Sequence, residues 1–550
     1  MIGNKEPSIY SVIIVYSCLT SIAITPWFNK DSMLIPKLIL IFLCALYLLP
    51  KIIYSFPETL KFRNLKILIS VITLIIIQML ISAILSPAPF EQQFFGRTGR
   101  GLGIVTLFSL LAIMYSSAIF ARIEKLKILL FGMVASCLFS SVYSLFQSFG
   151  LDFLQWDSRT NGVIGTLGNP NFQSAFAALG IIPAVALFWN TKYKWLATPF
   201  FILLLSVVIY RTQSTQGYIS ALFSILLYLS IYYWYKNKSI FILLLTVMFS
   251  TGLVAILGML NMGPLNYFLY KTSVQSRGDF WRSAINAAND HPFFGVGMDS
   301  FGDSYLKYRD SIAVSHPWAE YTDNAHNFFL QYAVTAGYPM VILQLCLIIL
   351  TIYSFIQILR KRINFDQTLT AIFVAWTVFQ LQSFVSPGNL PLMFWNAILS
   401  GTLIGTAALL QLPDKKIIAL EEKLLRKTRI QSYALMCVGL YIMYPLFSTD
   451  SIQKKAMDTR NGDLVIAAAK KYPESVIRYQ VITRELLDSN LLPQALDVAR
   501  SAVRFNPSSP NLWALIVINP VAPIDERTFA KIELLKLDPL NKEVINYEIK

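Results

Sequence analysis

The sequence is short of charge. Asp, Glu, Lys and Arg make up 14% of its 550 residues, where a soluble domain carries about 25%. That deficit excludes a chain that is soluble throughout. Histidine is scarcer still, with only His291, His316 and His326. The five cysteines, Cys18, Cys44, Cys137, Cys346 and Cys437, each lie inside an apolar run. Neither a disulfide framework nor a metal-ligand spacing follows from such positions. HExxH and paired Cys/His patterns are missing, which removes the usual zinc signatures. No metal and no cofactor are expected.

What the chain has instead is apolar length. Hydrophobic residues reach 55%, gathered in runs of about 20 residues, the length that crosses a bilayer as a helix. Candidate spans fall at 9–25, 34–54, 65–85, 102–121, 126–149, 171–189, 194–210, 217–235, 239–260, 327–359, 368–386, 390–411 and 431–447. The expected fold is an all-α polytopic membrane protein with about 12–13 transmembrane helices. The run at 327–359 exceeds one bilayer thickness and is expected to tilt or project. The start, MIGNKEPS, carries one lysine and no small-residue cleavage site, and is read as part of a retained first helix.

Net charge is +15, and its placement argues against nucleic acid. Lys61, Arg63 and Lys66 lie between spans 2 and 3, and Arg122, Lys125 and Lys127 between 4 and 5. Lys192 and Lys194, Lys236 and Lys238, then Arg360, Lys361 and Arg362 continue the alternation. Lys415, Lys416, Lys423, Arg426, Lys427 and Arg429 complete it. Basic short loops face the cytoplasm. The N-terminus is therefore expected inside, and residues 261–326 and 448–550 outside. Four regions follow: spans 1–9 over 1–260, a large outer loop over 261–326, spans 10–13 over 327–447, and a soluble helical tail over 448–550.

In the tail, Ala495, Ala499, Ala502 and Pro507 fit the small-residue positions of a tetratricopeptide repeat, and Ala468 and Pro473 fit its last two positions one unit earlier. Thr483 stands where that repeat has glycine. The alternative is a generic array of helical hairpins. Either suits a contact with a protein partner.

Polar chemistry gathers on the outer side. The longest polar interval, Ser273 to Gly337, holds all three histidines with Arg277 and Arg282. Arg97 and Arg100 lie among glycines in FFGRTGRGLG, either as membrane-edge anchors or as anion ligands. Asn169-Pro170-Asn171 opens span 6, where an Asn side chain caps the helix or backbone donors hold an anion. Arg211, in the short RTQSTQG connection, is a further candidate anion ligand. His291 and His316 each precede proline and are read as structural, whereas His326 stands at the start of span 10. Asp323 and Asn327 flank it closely enough to orient an imidazole. Arginines and a histidine without a dense carboxylate cluster fit a lipid-diphosphate leaving group. Arginine grips the phosphates bidentately and stays charged, while His326 takes a proton from an incoming hydroxyl.

These residues together resemble the superfamily of O-antigen ligases and polymerases of the bacterial envelope. The resemblance rests on Asn169-Pro170-Asn171, on Ser276-Arg277 with Trp281, on His291-Pro292-Phe293-Phe294-Gly295-Val296-Gly297, and on Ala325-His326-Asn327, in this order and topology over roughly residues 65–410. It implies metal-independent transfer of a glycan from undecaprenyl diphosphate to an acceptor hydroxyl, on lipid A-core or another glycolipid or on a protein, at the outer face of the bacterial cytoplasmic membrane. It carries the essential loop arginine to Arg277 and the essential histidine to His326. From their own positions, Arg282, Arg211, Arg100 and Arg97 are further candidate diphosphate ligands, and Asp323, Asn327 and Asn171 candidate orienting groups. One departure stands out. Ligases commonly have Ser-Arg between spans 7 and 8, and this chain has Ser214-Thr215-Gln216, with Arg211 one turn away. A polysaccharide polymerase and a protein O-oligosaccharyltransferase fit the same motifs. A transporter fits less well, since no internal repeat and no intramembrane charge relay are visible.

Overall fold

The computed structural model describes residues 7–154, 156, 162–316, 321–362, 364–409, 414–459 and 462–549, without side-chain detail for 414–420. The first six residues of the N-terminal segment, Pro317 after His316, and the side chains of Lys415 and Lys416 lie outside the described residues. Every described regular element is helical.

The first half runs α1 (Ile9–Ile22), α2 (Ile35–Thr59), α3 (Arg63–Leu85), a short α4 (Phe90–Phe95), α5 (Ile104–Phe120) and α6 (Leu126–Ser148). It continues as α7 (Pro170–Phe188), α8 (Lys194–Arg211), α9 (Thr215–Lys236) and α10 (Lys238–Met259). The polar loop folds into α11 (Asn266–Leu269), α12 (Thr272–Asp290), α13 (Phe301–Tyr308) and α14 (Ser311–Ser315). Then follow α15 (Phe328–Lys361), α16 (Gln367–Ser383), α17 (Leu390–Leu409) and α18 (Asp414–Thr459). The tail adds α19 (Gly462–Ala469), α20 (Val476–Asp488), α21 (Leu492–Phe505), α22 (Pro510–Val517), α23 (Ile524–Leu537) and α24 (Lys542–Asn546).

Each of the thirteen apolar runs coincides with a helix. Ten of the described helices are long and apolar enough to cross a membrane. The other three, α1, α5 and α16, have 14, 17 and 17 residues, short of the roughly 20 that a lipid-exposed span needs. Burial explains the shortfall for α5, whose residues Val105 to Phe120 are nearly all covered by neighbouring helices rather than by lipid. Its closest neighbour is α17. A Cβ on Gly405 would stand 2.0 Å from the Ala118 carbonyl oxygen, so only glycine lets these two backbones meet. The apolar stretch of α10 is the opposite case, with none of it buried against protein.

The tilt or projection expected of span 10 is resolved as a break. Gly337 has φ +80° and ψ 169° inside α15, splitting it into two helices. The turn His291–Gly297 seats itself in the gap. Val296 and Gly297 donate backbone N–H groups to the carbonyls of Val334 and Thr335, and Tyr338 N–H donates to Pro292. Gln78 on α3 donates to the Phe293 and Ala336 carbonyls, and Ser82 to those of Phe294 and Thr335. The backbone groups freed by the break are thus satisfied, the condition for irregular backbone at membrane depth. An apolar sequence alone does not reveal such a break, because glycine is common in membrane helices.

The tail is a set of packed helix pairs. Ala468, Ala495, Ala499 and Ala502 are fully buried in its core, as is Thr483. It sits on the same end of the bundle as the polar loop, with α13 packed against α22 and α23.

Candidate functional site

The site begins with α12, where Arg277 and Trp281 lie one turn apart on one face. Among the described residues, Arg277 Nη1 donates only to the Ser273 carbonyl of its own helix, at 2.9 Å. Its Nε is buried and has no hydrogen-bond partner among the described residues, as is true of the Trp281 indole N–H. No carboxylate pairs with Arg277 among the described residues. Burial lowers its pKa, yet a guanidinium stays charged at any physiological pH.

His326 meets this helix from the start of α15. Asn327 caps α15, its Oδ1 accepting from the N–H groups of Phe329 and Leu330. The preceding residue, His326, is left at φ +51°, and Asn324 Oδ1 holds its N–H at 2.9 Å. A non-glycine residue in this left-handed region stores about 1–3 kcal/mol and marks a constrained position. The imidazole packs on Phe280 of α12, with ring centroids 5.4 Å apart. Burial first, then the charges of Arg100 and Arg277, push its pKa down to about 3, against an opposing pull from Asp323. The ring is therefore neutral at physiological pH, with a lone pair available. The Asn324 side-chain N–H group next to it is buried and unpaired among the described residues.

The third component is the glycine-rich loop between α4 and α5. Gly96, Gly99 and Gly101 all have positive φ, and a Cβ on Gly96 would stand 2.5 Å from Leu102 N. The loop therefore turns back tightly on itself. Asp299 Oδ2 clasps it by accepting the N–H groups of Arg97 at 2.7 Å and Leu102 at 3.0 Å. Burial, against those two hydrogen bonds, raises the Asp299 carboxyl to about 6. So held, the loop directs Arg100 at Asp323, with Nε and Nη2 both on Oδ1 at 2.9 and 2.8 Å. Burial works against the Asp323 carboxylate, but Arg100 outweighs it and the pKa is lowered.

Arg97 points elsewhere. It is 2% exposed, with Nη1 on Asp303 Oδ1 at 2.9 Å and Nη2 donating to the Tyr321 hydroxyl at 2.8 Å. Arg282 is also engaged, donating to Asp310 at 2.5 Å and Asp279 at 2.6 Å. Arg211 donates to Ser148 and stacks on Phe149 at the end of α6. Asn171 receives the Ser214 hydroxyl at 2.7 Å, while the α7 cap is made by Asn169. Asn327 Nδ2 donates to the Phe384 carbonyl rather than to the imidazole, and Asp323 influences His326 by charge alone.

The structure thus brings His326, Arg277, Arg100 and Asp323 together, with Arg97 as buried support. It leaves Arg282, Arg211 and Asn171 in separate contacts. Gln216 occupies the place where Ser-Arg was expected. Its amide donates to Gln382 and accepts from Ser386, on either side of the Phe384 carbonyl that receives Asn327. Sequence reasoning missed Asp299, Asp303 and Tyr321, and noted Gln216 only as a departure from Ser-Arg. The only signal for the first two was a pair of acidic residues in a glycine-containing stretch, MDSFGD.

Fold and site define a polytopic helical membrane protein with a cationic, imidazole-containing centre where a polar loop meets the bundle. Residues 200–345 match the O-antigen ligase family model, a stretch that contains Arg211, Arg277, Arg282 and His326 and supports the superfamily resemblance. An uncharacterized protein of Haemophilus influenzae is 25% identical over 251 residues, covering 42% of this chain and 61% of that protein. The chain spans about three fifths of the length of this curated relative.

Proposed function

We propose that this protein is a bacterial membrane glycosyltransferase of the O-antigen ligase type, acting on a glycan carried by undecaprenyl diphosphate. The observation that carries the reading is that Arg277, without an ion-pair partner among the described residues, lies close enough to a neutral His326 for its charge to lower the imidazole pKa. An acceptor hydroxyl oxygen attacks the anomeric carbon of the first sugar. The bond from that carbon to the carrier diphosphate breaks, the proton passes to His326, and the lipid diphosphate leaves. Arg277 stabilises the charge that grows on the departing phosphate, the kind of contact whose loss costs about 10²–10³ in rate. Arg100, relayed through Asp323, adds positive potential. The buried unpaired donors of Arg277, Trp281 and Asn324 are suited to an anion.

In this reading the N-terminus is cytoplasmic, and the loop and the tetratricopeptide-like tail face outward, where the tail contacts the acceptor or a partner protein. The test is transfer in reconstituted lipid. Purified protein is given a lipid-diphosphate glycan with glycolipid or protein acceptors. Appearance of glycosylated acceptor supports a ligase or protein transferase, while a longer lipid-linked glycan assigns a polymerase. His326→Ala and Arg277→Ala should each abolish product; full activity in both overturns the site.

A further inference from the structure

Asp303 is the point at which three parts of the chain meet. Its Oδ1 receives Arg97 at 2.9 Å, and its Oδ2 receives Gln92 Nε2 at 2.8 Å, both from the membrane-edge segment. The same Oδ2 receives Asn506 Nδ2 at 3.0 Å, from the end of α21 in the tail. All of this is out of water: Asn506 is 0%, Asp303 3% and Arg97 2% exposed. A second contact clamps the other end of α13, where Arg309 Nη2 meets Asp538 Oδ1 at 2.7 Å. The Asp538 side chain is 2% exposed and that of Arg309 12%. A third joins Thr98, in the arginine loop itself, to Ser475 at the cap of α20, at 2.7 Å. Three elements of the tail therefore touch the two segments that present Arg100 to the His326 centre.

We infer that the C-terminal helical domain is a positioning element of the active centre, with Asn506 as its positioning residue. It holds Asp303, which fixes Arg97 and so the glycine-rich loop that carries Arg100. Part of the tail's surface is then taken up by α13 of the same chain, and binding a separate protein is not its only task. Glycines with positive φ give the 96–103 loop little rigidity of its own, so its conformation depends on outside clamps. Asp299 and Asp303 supply two of them, beside Asp31 Oδ2, which accepts the Gly99 N–H at 2.9 Å, and the Ser475 hydroxyl on Thr98. This inference rests on the catalytic reading of His326 and Arg100 for its meaning, but not for its test.

Hydrogen–deuterium exchange of the full chain in lipid nanodiscs reads the coupling without any substrate. Asn506→Asp places a second carboxylate about 3 Å from Asp303, and two buried carboxylates so close do not both ionise. At pH 7.5 the variant should exchange about tenfold faster across 96–103 and 321–327. At pH 5.5, after correction for intrinsic exchange, the two carboxyls share a proton and the excess exchange over wild type at the same pH should disappear, the comparison cancelling the titration of Asp299 common to both. Asn506→Ala should loosen the same segments with no recovery at low pH, because it adds no carboxyl to share a proton with Asp303. If Asn506→Asp unfolds the chain, Asp538→Asn decides, with faster exchange expected over 301–309 and 96–103. Faster exchange confined to 492–517, with 96–103 unchanged, overturns the inference. Absence of glycan transfer by the wild-type protein would sink the functional reading and leave the exchange result standing.

Discussion

Arg97 and Asp303 form an ion pair at 2.9 Å with side chains 1% and 4% exposed. Removing one member of such a pair strands a buried charge, at about 3–5 kcal/mol. Arg97→Ala should therefore lower the thermal midpoint in detergent strongly. Arg100→Ala should lower it less, because the side chains of its pair with Asp323 remain 23% and 20% exposed. The two arginines of one loop would separate into a stabilising and a substrate-facing residue. Equal loss of midpoint in both variants would contradict that division.

The pH profile of transfer should follow His326. Its pKa lies far below the ordinary value, at about 3, so the ring stays neutral as pH falls. Activity limited by this base should hold down to about pH 5 rather than break near 6.5. Neutralising a neighbouring cation makes the imidazolium less costly and raises the pKa. Arg100→Gln should therefore move the acid limb upward. A limb in the same place for wild type and variant would remove Arg100 from the imidazole's surroundings.

Gly337 admits no side chain. A Cβ there would meet the Phe293 carbonyl oxygen at 2.3 Å, at a φ of +80°. Gly337→Ala should destabilise by at least about 1–3 kcal/mol and should unseat the His291–Gly297 turn. Proteolysis within 291–297 would become faster. A variant as resistant as wild type would mean that the turn does not depend on the break.

Two arginines on one helix should behave differently. Arg277→Gln leaves every ion pair intact and should cut the transfer rate about 10²-fold or more with little change in thermal midpoint. Arg282→Gln removes the arginine shared by Asp310 and Asp279, leaving Asp279 to His316, and should reduce the midpoint more than the rate. The reverse pattern would exchange their roles.

Orientation is open to direct labelling. Ser489 is exposed at the end of α20. In intact cells a membrane-impermeant maleimide should modify Ser489→Cys, and should not modify Lys125→Cys. Labelling of the second position alone would invert the topology.

The helices were legible in the sequence because a run of apolar residues as long as a bilayer admits few other structures. His326 and Arg277 stood out because they are polar residues at the edge of such runs. The pairings were not legible. Arg97 and Asp303 are 206 positions apart, and Arg309 and Asp538 are 229 apart. Nothing local tells an arginine beside a membrane whether its partner is a carboxylate of the same chain or a phosphate. That is why Arg97, Arg100, Arg211, Arg282 and Arg277 looked alike, and why only Arg277 stands without a paired acid or a fixed side-chain contact among the described residues. The break in α15 was hidden for a related reason: Gly337 in an apolar run looks the same whether it bends or not.

The 46 residues of α18 have a consequence of scale. At about 1.5 Å per residue the helix is about 69 Å long, more than twice the roughly 30 Å of a hydrocarbon core. Only residues 448–459 continue the helix past the apolar run at 431–447, so the tail is mounted on a short mast rather than tied by a string. A flexible tether lets its load sample a sphere, and concentration at any one point falls as the tether lengthens. A mast fixes height and azimuth instead. Whatever the tail grips is held at one distance from the bundle, so under the proposed function reach, rather than affinity alone, would decide which acceptors can be served.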